Sequence, residues 1–432
     1  MTDGKKLNAA ASKTFCVQPW IHSYIGTDGQ AGLCCISPDP LIGPNGGLNV
    51  QCDSLKEIFH SPAMDEVRRQ LLAGKKIKAC AACYDAEGLS GSSQRTQYNH
   101  YWKERVPGLM DRVRDRQEKA AFEKPLSVDI RFGNLCNLRC QICNPHNSTE
   151  IERDSVLSKW SHAHYLRKEG RFQGEWYDAP ELESEIADFS SNIQFIHLAG
   201  GEPSISKPAH KWLTGLVAGG QAAGIELRVL TNLTNVNSKF LDLVMQFGRP
   251  MVFASIDGFG PLNDYLRYPS QWRIIDRNAH YLRELAKRSN LKVYVTPAVS
   301  AYNALSIVHL FEWAAGLGFD VIASHVRGVD QIDCALLPAE ARARAVQRMR
   351  DFLEAAEKPA PYHHSTIDAL CRYLELPVDP AYSAACLEKF HAFTHEVDRD
   401  RGMRFEDYAP EMARFLGYSS GSNYFTRSVG AP

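Results

Sequence analysis

The sequence predicts an α/β protein whose centre is an open, six-stranded parallel barrel, a partial, TIM-like (β/α)6 fold. Short strand-like runs alternate with helix-like stretches between residues 125 and 330, which is typical of parallel βαβ units. A cysteine-rich region before the barrel and a mainly helical region after it complete the architecture. The predicted strands are 126–132, 193–199, 226–230, 251–256, 292–297 and 320–326. The functional site should lie at the carboxyl ends of these strands, as in full barrels.

Length and composition set the wider limits. The 432 residues divide into a cysteine-rich module at 1–94, a helical linker at 95–124, the barrel at 125–330 and a helical region at 331–432. A formal net charge of −1 gives no overall field that would attract nucleic acid or a membrane surface. No signal peptide or membrane-length apolar run is present, and the CxxC and Cx3Cx2C groupings among the twelve cysteines are typical of metal sites. We therefore expect a cytoplasmic protein that binds neither membrane nor nucleic acid.

Three cysteines follow the first barrel strand at short spacing. Cys136, Cys140 and Cys143 form a Cx3Cx2C motif directly after 126–132. A loop at a strand end can fold three thiolates around one iron–sulfur cluster, as short cysteine spacings do elsewhere. Three ligands on a four-iron cluster would leave one iron free to bind a substrate or cofactor. The alternative is that the cysteines are small buried apolar side chains, which a polar loop disfavours.

The N-terminal region contains a second group of cysteines. The run 21–25, the turn Asp28-Gly29 and the return 31–35 predict a β-hairpin that presents one or two cysteines. Ser54 is predicted to cap one short helix, and Ser61 a second helix that runs to about Ala73 and leads into a CxxC motif. Together the hairpin and this motif can close four thiolates round a metal centre.

The Cx3Cx2C loop resembles the signature of the radical S-adenosylmethionine (radical SAM) enzymes. In that family the free iron of a 4Fe-4S cluster binds S-adenosylmethionine, and reduction yields a 5′-deoxyadenosyl radical that removes a hydrogen atom from the substrate. The resemblance implies such a cluster on Cys136, Cys140 and Cys143, and an external one-electron reductant such as flavodoxin or ferredoxin. Ile142 stands where the family often has an aromatic residue.

Further motifs resemble the cofactor pocket of the same family. Gly200-Gly201-Glu202-Pro203 follows a predicted strand and resembles the GGEP motif, which contacts the amino group of S-adenosylmethionine. The turn at Asn232 resembles the TNG turn, with Leu233 in place of glycine. The resemblance implies that the cofactor is bound by Gly200, Gly201, Glu202, Asn232, Ser255, Asp257 and Arg267. Asp257 has an alternative role, which is to cap the loop that follows it.

The N-terminal module resembles the auxiliary-cluster domains called SPASM and twitch. Such domains usually follow the radical domain, so the order here is permuted, and the downstream cysteines of a full SPASM domain are missing. The resemblance implies one auxiliary 4Fe-4S cluster, whose ligands would be Cys16, Cys34, Cys80 and Cys83. Cys35 and Cys52 are spare candidates, and a zinc site on the same thiolates is an open alternative.

The C-terminal region resembles no family that we can name. Helices are predicted at 338–357 and 367–376, with a loop at 359–364 between them and a mixed tail after them. His363 and His364 are interpreted as surface histidines in that loop. The cysteines at 334, 371 and 386 are too scattered to be predicted as ligands.

These patterns predict a radical SAM oxidoreductase that abstracts hydrogen oxidatively in peptide or protein modification, such as ribosomal peptide maturation. An alternative substrate is a small molecule, such as a sugar, an alcohol or a natural product. A hypothesis of another class is a non-catalytic iron–sulfur electron carrier or sensor. Glu202 and Ser255 disfavour it, because a carrier needs no S-adenosylmethionine pocket.

Overall fold

The structure is a computed structural model that describes residues 13–37, 39–161, 176–178, 180–236, 238–355 and 361–421. Its main sheet has eight strands in the described ranges, and two small two-stranded sheets accompany it. The strands are β1 (His22–Ile25), β2 (Ala31–Gly32), β3 (Ile42–Gly43), β4 (Gly46–Gly47), β5 (Ser127–Ile130), β6 (Phe195–Leu198), β7 (Glu226–Thr231), β8 (Arg249–Ala254), β9 (Lys292–Val295), β10 (Ala298–Val299), β11 (Asp320–Val321) and β12 (Ser324–His325).

Helices pack around this sheet and form the C-terminal region. They are α1 (Gln18–Ile21), α2 (Leu55–Phe59), α3 (Pro62–Leu72), α4 (Ala81–Ser90), α5 (Gln94–Arg105), α6 (Leu109–Arg116), α7 (Thr149–Arg153), α8 (Leu157–Trp160), α9 (Pro180–Phe189), α10 (Lys207–Ala218), α11 (Ser238–Val244), α12 (Pro261–Leu266), α13 (Trp272–Lys287), α14 (Ile307–Leu317), α15 (Ala339–Ala355), α16 (Pro361–Leu374), α17 (Pro380–Arg401), α18 (Phe405–Tyr408) and α19 (Pro410–Phe415). None of these described helices is both long and apolar enough to cross a membrane.

The predicted six-stranded parallel arrangement is confirmed. Strands β5, β6, β7, β8, β9 and β11 lie side by side in chain order, and each is parallel to the next. The last predicted strand, 320–326, is interrupted after Val321, and its second half becomes β12, which pairs with β10 in a separate small sheet. The carboxyl ends of the six strands therefore meet at one edge, where the predicted motifs lie.

The N-terminal hairpin extends the same sheet. β1 and β2 form the predicted antiparallel hairpin, and β1 also pairs in parallel with β5, with His22 opposite Ser127 and Ile25 opposite Ile130. The sheet is thus continuous across the predicted boundary between the cysteine-rich module and the barrel. The domain boundaries themselves stay a prediction.

The two faces of the barrel strands differ in burial. In β7, Leu227 and Val229 are buried, whereas Arg228 and Leu230, which alternate with them, are partly exposed. The same alternation of burial runs through β8 and β9. Parallel strands that are covered on both faces are usually apolar throughout. Here the outer face packs on an apolar helix layer, and the concave inner face is partly exposed and carries both polar and apolar side chains.

Two predicted helix starts in the cysteine-rich region are confirmed. Ser54 caps α2 in a capping box with Glu57, and the Ser61 hydroxyl accepts a hydrogen bond from the backbone N–H of Met64 at the start of α3. The chain leaves α3 through Gly74, which has φ of 74°.

The prediction for the C-terminal region is partly wrong. Helix α16 begins at Pro361, so His363 and His364 lie in a helix, and His363 is fully buried instead of lying at the surface. Proline suits the first turn of a helix, because its missing N–H has no partner there. The predicted mixed tail contains α17, which has 22 residues and begins after the Asp379 cap. Residues 359 and 360 of the predicted loop lie outside the described residues.

Candidate cluster and cofactor site

The cluster loop leaves the carboxyl end of β5 and brings its three cysteines together. The Cys140 thiol is close enough to Cys136 and Cys143 for their charges to interact, and Cys143 likewise interacts with Cys136. Burial raises the pKa of all three thiols, that of Cys143 to about 11. Because metal ligands must be thiolates, binding of a cluster here would release protons.

Side chains that follow the motif hold the loop in shape. The Ser148 hydroxyl donates to the carbonyl of Leu138 at 2.8 Å, and Asn134 Nδ2 donates to the carbonyl of Pro145 at 2.9 Å. Thr149 Oγ1 lies 3.3 Å from both the N and the O of Cys136. The loop backbone is therefore fixed by side-chain hydrogen bonds, without a regular element of its own.

The two glycines of the GGEP turn permit close packing against the cluster loop. Both have positive φ, 89° at Gly200 and 55° at Gly201. A Cβ on Gly201 would lie 2.3 Å from the carbonyl oxygen of Leu135, and one on Gly200 would lie 2.6 Å from the Cβ of Arg131. The close approach that these glycines permit is to the cluster loop and to the residue that follows β5. Contact of these glycines with S-adenosylmethionine stays a prediction.

Glu202 is buried between the ends of β6 and β7. One carboxylate oxygen accepts hydrogen bonds from Ser204 N at 3.0 Å and Thr231 Oγ1 at 2.7 Å, and the other accepts from Asn232 N at 2.6 Å. A carboxylate offers about four acceptor positions, so roughly one is left for a further donor. Glu202 thus joins two strand ends, and its predicted bond to the cofactor's ammonium group uses the remaining capacity.

The turn after β7 links this carboxylate to the cluster loop. Asn232 Nδ2 donates to Asn137 Oδ1 at 2.8 Å and lies 4.0 Å from Cys136 Sγ. Leu233 keeps the conformation of the glycine that it replaces, with φ of 60°, and its side chain is buried. Few non-glycine residues adopt this region. Its carbonyl accepts a hydrogen bond from Asn278 Nδ2 at 2.8 Å, which fixes the turn.

The segment after β8 places a buried ion pair beside the cysteines. Asp257 Oδ2 lies 2.5 Å from Arg267 Nη1, and Asp257 Oδ1 accepts a hydrogen bond from Ala298 N at 2.8 Å. Asp257 therefore braces Arg267 and β10. The Arg267 charge interacts with Cys140 and Cys143, and its buried Nε has no hydrogen-bond partner among the described residues. This segment begins at Ser255, which is partly exposed.

The N-terminal cysteines form a second group. Cys16, Cys80 and Cys83 are buried, and their charges interact with one another; the Cys34 charge interacts with those of Cys16 and Cys80. Burial raises the pKa of each thiol, that of Cys80 to about 11. The four predicted auxiliary ligands thus lie in one region of the structure, although no three of them are close enough in the described residues to hold a single metal ion, and their ligand role stays a prediction.

The two spare cysteines have different surroundings from this group, although the charge of Cys35 also interacts with that of Cys34. Cys52 is exposed. The pKa of Cys35 is raised by burial and by the charge of Asp129 on the concave face of β5, and Gln94 Nε2 donates to the Cys35 sulfur at 3.3 Å. Adjacent residues of one hairpin therefore contribute to two places: Cys34 to the auxiliary group and Cys35 to the barrel interior.

Comparison with known families agrees with this geometry. Residues 130–314 match the radical SAM superfamily, and residues 16–84 match the SPASM iron–sulfur cluster-binding domain. Residues 130–314 of this chain thus form a radical SAM domain. The SPASM domain precedes the radical SAM domain, so the permuted order is confirmed. The radical SAM domain implies a 4Fe-4S cluster and S-adenosylmethionine, and the SPASM domain implies auxiliary iron–sulfur binding.

Several solved structures are similar to this radical SAM chain. SuiB from Streptococcus suis bound to S-adenosylmethionine is 14% identical, with 64% of this chain and 59% of that chain covered and a TM-score of 0.36. SuiB bound to the precursor peptide SuiA has the same identity and TM-score, with 61% and 52% covered. Native anSMEcpe with bound AdoMet is 16% identical, with 55% and 64% covered and a TM-score of 0.36. The chain thus spans less than two thirds of the length of these proteins. No curated protein matches it.

The donor sets suit the groups that the two families imply. In the described ranges, no three His, Cys, Asp or Glu side chains are placed to hold a single metal ion. Both cysteine groups instead consist of thiols alone, which is the ligand chemistry of most iron–sulfur clusters. The unpartnered Nε of Arg267 adds a buried donor beside the radical-domain thiols. The residues present therefore fit a cluster at each group.

Sequence reasoning missed a polar group on the concave face of the radical SAM barrel. Asp129 and Arg131 form an ion pair at 3.1 Å, and Arg228 pairs with Glu226, also at 3.1 Å. The imidazole of His197 projects from β6 near Asp129 and Arg228, and its buried Nδ1 has no hydrogen-bond partner in the part of the chain that the structure describes. The available signal was the charged residues at alternate positions of otherwise apolar strands.

Burial also keeps two imidazoles of this face neutral. It lowers the pKa of His22 and of His197 to about 4, and the charge of His197 lowers the pKa of His22 further. His22 Nδ1 lies 2.8 Å from Ser127 Oγ. Both side chains are thus uncharged near pH 7.

Proposed function

We propose that this radical SAM protein oxidises a residue of a peptide or protein substrate and passes one electron from that residue to the auxiliary cluster. S-adenosylmethionine, when bound and reduced, supplies the 5′-deoxyadenosyl radical that takes a hydrogen atom from the substrate. In this proposal Cys136, Cys140 and Cys143 hold the radical cluster. The cofactor is held by the predicted residues Gly200, Gly201, Glu202, Asn232, Ser255, Asp257 and Arg267.

One observation carries the proposal, which is that both cysteine groups border one concave face. β1, which leads into the auxiliary hairpin, pairs with β5, which leads into the radical-cluster loop. Cys35, next to the proposed ligand Cys34, lies beside Asp129 on that face. A substrate on the concave face would thus lie between the radical cluster, where its hydrogen atom is removed, and the auxiliary cluster, which accepts its electron.

The reaction balances if the substrate loses two hydrogens. A hydrogen atom goes to the 5′-deoxyadenosyl radical, an electron goes to the auxiliary cluster, and a proton goes to a base. The base is water or a buffer molecule, because the lowered pKa values of His22 and His197 on the concave face make these imidazoles weak proton acceptors. The product then carries a new carbonyl, double bond or cross-link.

The open geometry of the sheet favours an extended substrate. The edge strands β2 and β11 are not hydrogen-bonded to each other in the described structure, so the barrel is incomplete along one side. Such an opening gives room for a chain that continues beyond the residue being modified. Polar side chains on the concave face offer partners for its amide groups.

The test uses peptides encoded by short reading frames beside the gene. Anaerobic, reconstituted protein would be incubated with each peptide, S-adenosylmethionine and dithionite, and the peptides analysed by mass spectrometry. We expect loss of two hydrogens from one peptide, with one 5′-deoxyadenosine per product. The triple variant Cys136→Ala, Cys140→Ala, Cys143→Ala is the control and should give neither. If sugars or alcohols lose two hydrogens and no peptide does, the substrate class is wrong.

The role of the auxiliary cluster has its own test. The variant Cys80→Ala, Cys83→Ala should still form 5′-deoxyadenosine, because the two proposed clusters have separate ligands. Its substrate radical would lack an electron acceptor, so oxidised product should fall and substrate that has taken up deuterium from the buffer should rise. Normal yields of oxidised product in this variant would contradict the electron-acceptor role.

A further inference from the structure

The end of helix α17 lies against the radical-cluster loop. Arg401 is its last residue, and its guanidinium donates from Nη2 to the carbonyl of Arg139 at 2.7 Å and from Nη1 to the carbonyl of Tyr265 at 3.1 Å. Arg139 immediately precedes Cys140. Helix α17 lies beyond both family matches, so this contact joins an unassigned part of the chain to the centre of the radical SAM domain.

The same helix is anchored firmly one turn earlier. The buried carboxylate of Asp398 accepts hydrogen bonds from Tyr265 Oη at 2.8 Å, Tyr418 Oη at 2.7 Å and Phe405 N at 2.9 Å. Because these bonds hold both carboxylate oxygens, the helix end has little freedom to turn away. Arg401 is thereby held against the loop.

The segment that Arg401 touches is itself bonded to the loop. The carbonyl of Tyr268 accepts from Arg139 N at 2.6 Å, and the carbonyl of Leu266 accepts from Gln141 N at 2.9 Å. The guanidinium of Arg401 also lies 5.0 Å from the ring centroid of Tyr268. The loop residues on both sides of Cys140 are thus hydrogen-bonded to the segment 265–268, and the end of α17 packs against that segment.

The charge of Arg401 is not neutralised by an ion pair among the described residues. The charge of Asp154 interacts with that of Arg401, but Asp154 pairs with Arg139 at 2.8 Å. Asp400 also lies 3.7 Å from Arg139. Both hydrogen bonds of Arg401 go to neutral carbonyls. Its charge interacts with Cys140, so a thiolate-ligated cluster at this loop would be an anionic partner for it.

We propose that Arg401 is a positioning residue of the radical cluster, which fixes the backbone at Cys140 and supplies a counter-charge that raises the reduction potential of the cluster. Reduction adds negative charge, and a nearby cation stabilises the more negative state. The unmatched C-terminal region is therefore part of the radical SAM site. This inference rests on Cys136, Cys140 and Cys143 as cluster ligands and does not depend on the substrate.

The test measures the midpoint potential of the radical cluster in the anaerobic holoenzyme by redox titration followed by electron paramagnetic resonance. The radical cluster is recognised as the signal that changes when S-adenosylmethionine is added. Arg401→Gln removes the charge, and Arg401→Lys keeps it while losing the planar guanidinium. We expect a shift to lower potential in Arg401→Gln and a value near wild type in Arg401→Lys.

Arg404→Gln is the matched control, because Arg404 is exposed, pairs with Glu406 and belongs to the same C-terminal region. It should leave the potential unchanged. An unchanged potential in Arg401→Gln with full iron content would overturn the counter-charge, and equal shifts in the Gln and Lys variants would show that geometry alone sets the potential.

A variant that fails to hold the cluster is also informative. Loss of the S-adenosylmethionine-responsive signal in Arg401→Gln, with retention in Arg401→Lys, supports the proposal, since the two differ in charge. Loss in both, with wild-type thermal unfolding, overturns the counter-charge role. If the signal survives in the triple cysteine variant, the ligand assignment is wrong, and the role of Arg401, which rests on it, is overturned with it.

Discussion

Asp257 and Arg267 form a buried ion pair directly beside the cysteines of the radical-cluster loop, with 2.5 Å between Oδ2 and Nη1. The pair joins the strand end after β8 to the segment that follows α12, and it holds the guanidinium toward Cys140 and Cys143. Removing one partner of such a pair leaves a buried charge that nothing compensates.

The variant Asp257→Asn is therefore expected to lower the free energy of unfolding by about 3–5 kcal/mol, the usual cost of breaking a buried pair. Chemical denaturation of the holoenzyme measures it. Glu183→Gln removes the exposed pair with Lys211 and is the control, with an expected change of about 0–1 kcal/mol. A loss of similar size in both variants would contradict a structural role for the buried pair.

The iron content tests the ligand assignment. We expect roughly eight irons per chain in the anaerobic wild type and roughly four in Cys136→Ala, Cys140→Ala, Cys143→Ala, at about four per cubane cluster. That variant should form no 5′-deoxyadenosine. Cys52→Ala, at an exposed cysteine, should match the wild type in both measurements. Four irons together with zinc in the wild type would make the auxiliary site a zinc site.

Glu202→Gln should weaken the binding of S-adenosylmethionine about ten- to a hundredfold, because a charge-assisted hydrogen bond is worth about 1.5–3 kcal/mol. Calorimetric titration of the reconstituted protein gives the affinity, and iron analysis checks that the clusters are intact. Glu312→Gln, on the surface of α14, is the control. Wild-type affinity in Glu202→Gln would contradict the predicted bond to the cofactor. The role of Glu202 would then be to join Ser204, Thr231 and Asn232 through its hydrogen bonds.

The positive φ of Leu233 predicts an unusual order of stability. Glycine adopts φ of 60° without strain, whereas an L-residue pays about 1–2 kcal/mol there. Leu233→Gly should therefore unfold at a higher denaturant concentration than Leu233→Ala, although both lose the buried side chain. At Leu227, buried in β7, the Ala variant should be the more stable. If the Ala variant were the more stable one at position 233 as well, the positive φ of Leu233 would carry no strain and the prediction would be wrong.

The buried histidines predict a dependence of stability on pH. The pKa of His197 is about 4 in the folded protein and near 6.5 when unfolded, so the unfolded state binds more protons between these values. Stability should fall as pH is lowered through this window. Between pH 7 and pH 5.5 the loss from this one group is about 1 kcal/mol. His197→Gln should reduce the loss seen in denaturation curves, with His100→Gln as an exposed control; an identical loss in wild type and His197→Gln would contradict the prediction.

Sequence reasoning predicts best where the signal is local. The six barrel strands are each marked by a short apolar run. Ser54 is marked as a cap by Glu57 three positions later, and Ser61 by the proline that follows it. The pairing of His22 with Ser127 leaves no such mark, because it joins segments about a hundred residues apart. Helix α17 was missed because its burial depends on contacts with distant elements, among them Tyr265 and Tyr302.

The candidate site divides in the same way. The cysteine spacing and the GGEP motif identify the site from sequence, since each follows a predicted strand. That the glycines approach Leu135, or that Leu233 retains a glycine conformation, follows only from three-dimensional packing. Arg401 carries no sequence signal, because its partners are two backbone carbonyls.

The pairing of β1 with β5 has a consequence for how the chain is made. When β1 leaves the ribosome, its partner strand is about a hundred residues from being translated, which at about 5–20 residues per second is a delay on the order of 5–20 seconds. Throughout that time the edge of β1 that later pairs with β5 is exposed, and the barrel beside the auxiliary cysteines has not yet folded. Insertion of the auxiliary cluster would then wait for the first strand of the barrel. A fragment that starts after the hairpin would in turn leave β5 with a bare edge, open to association with other chains.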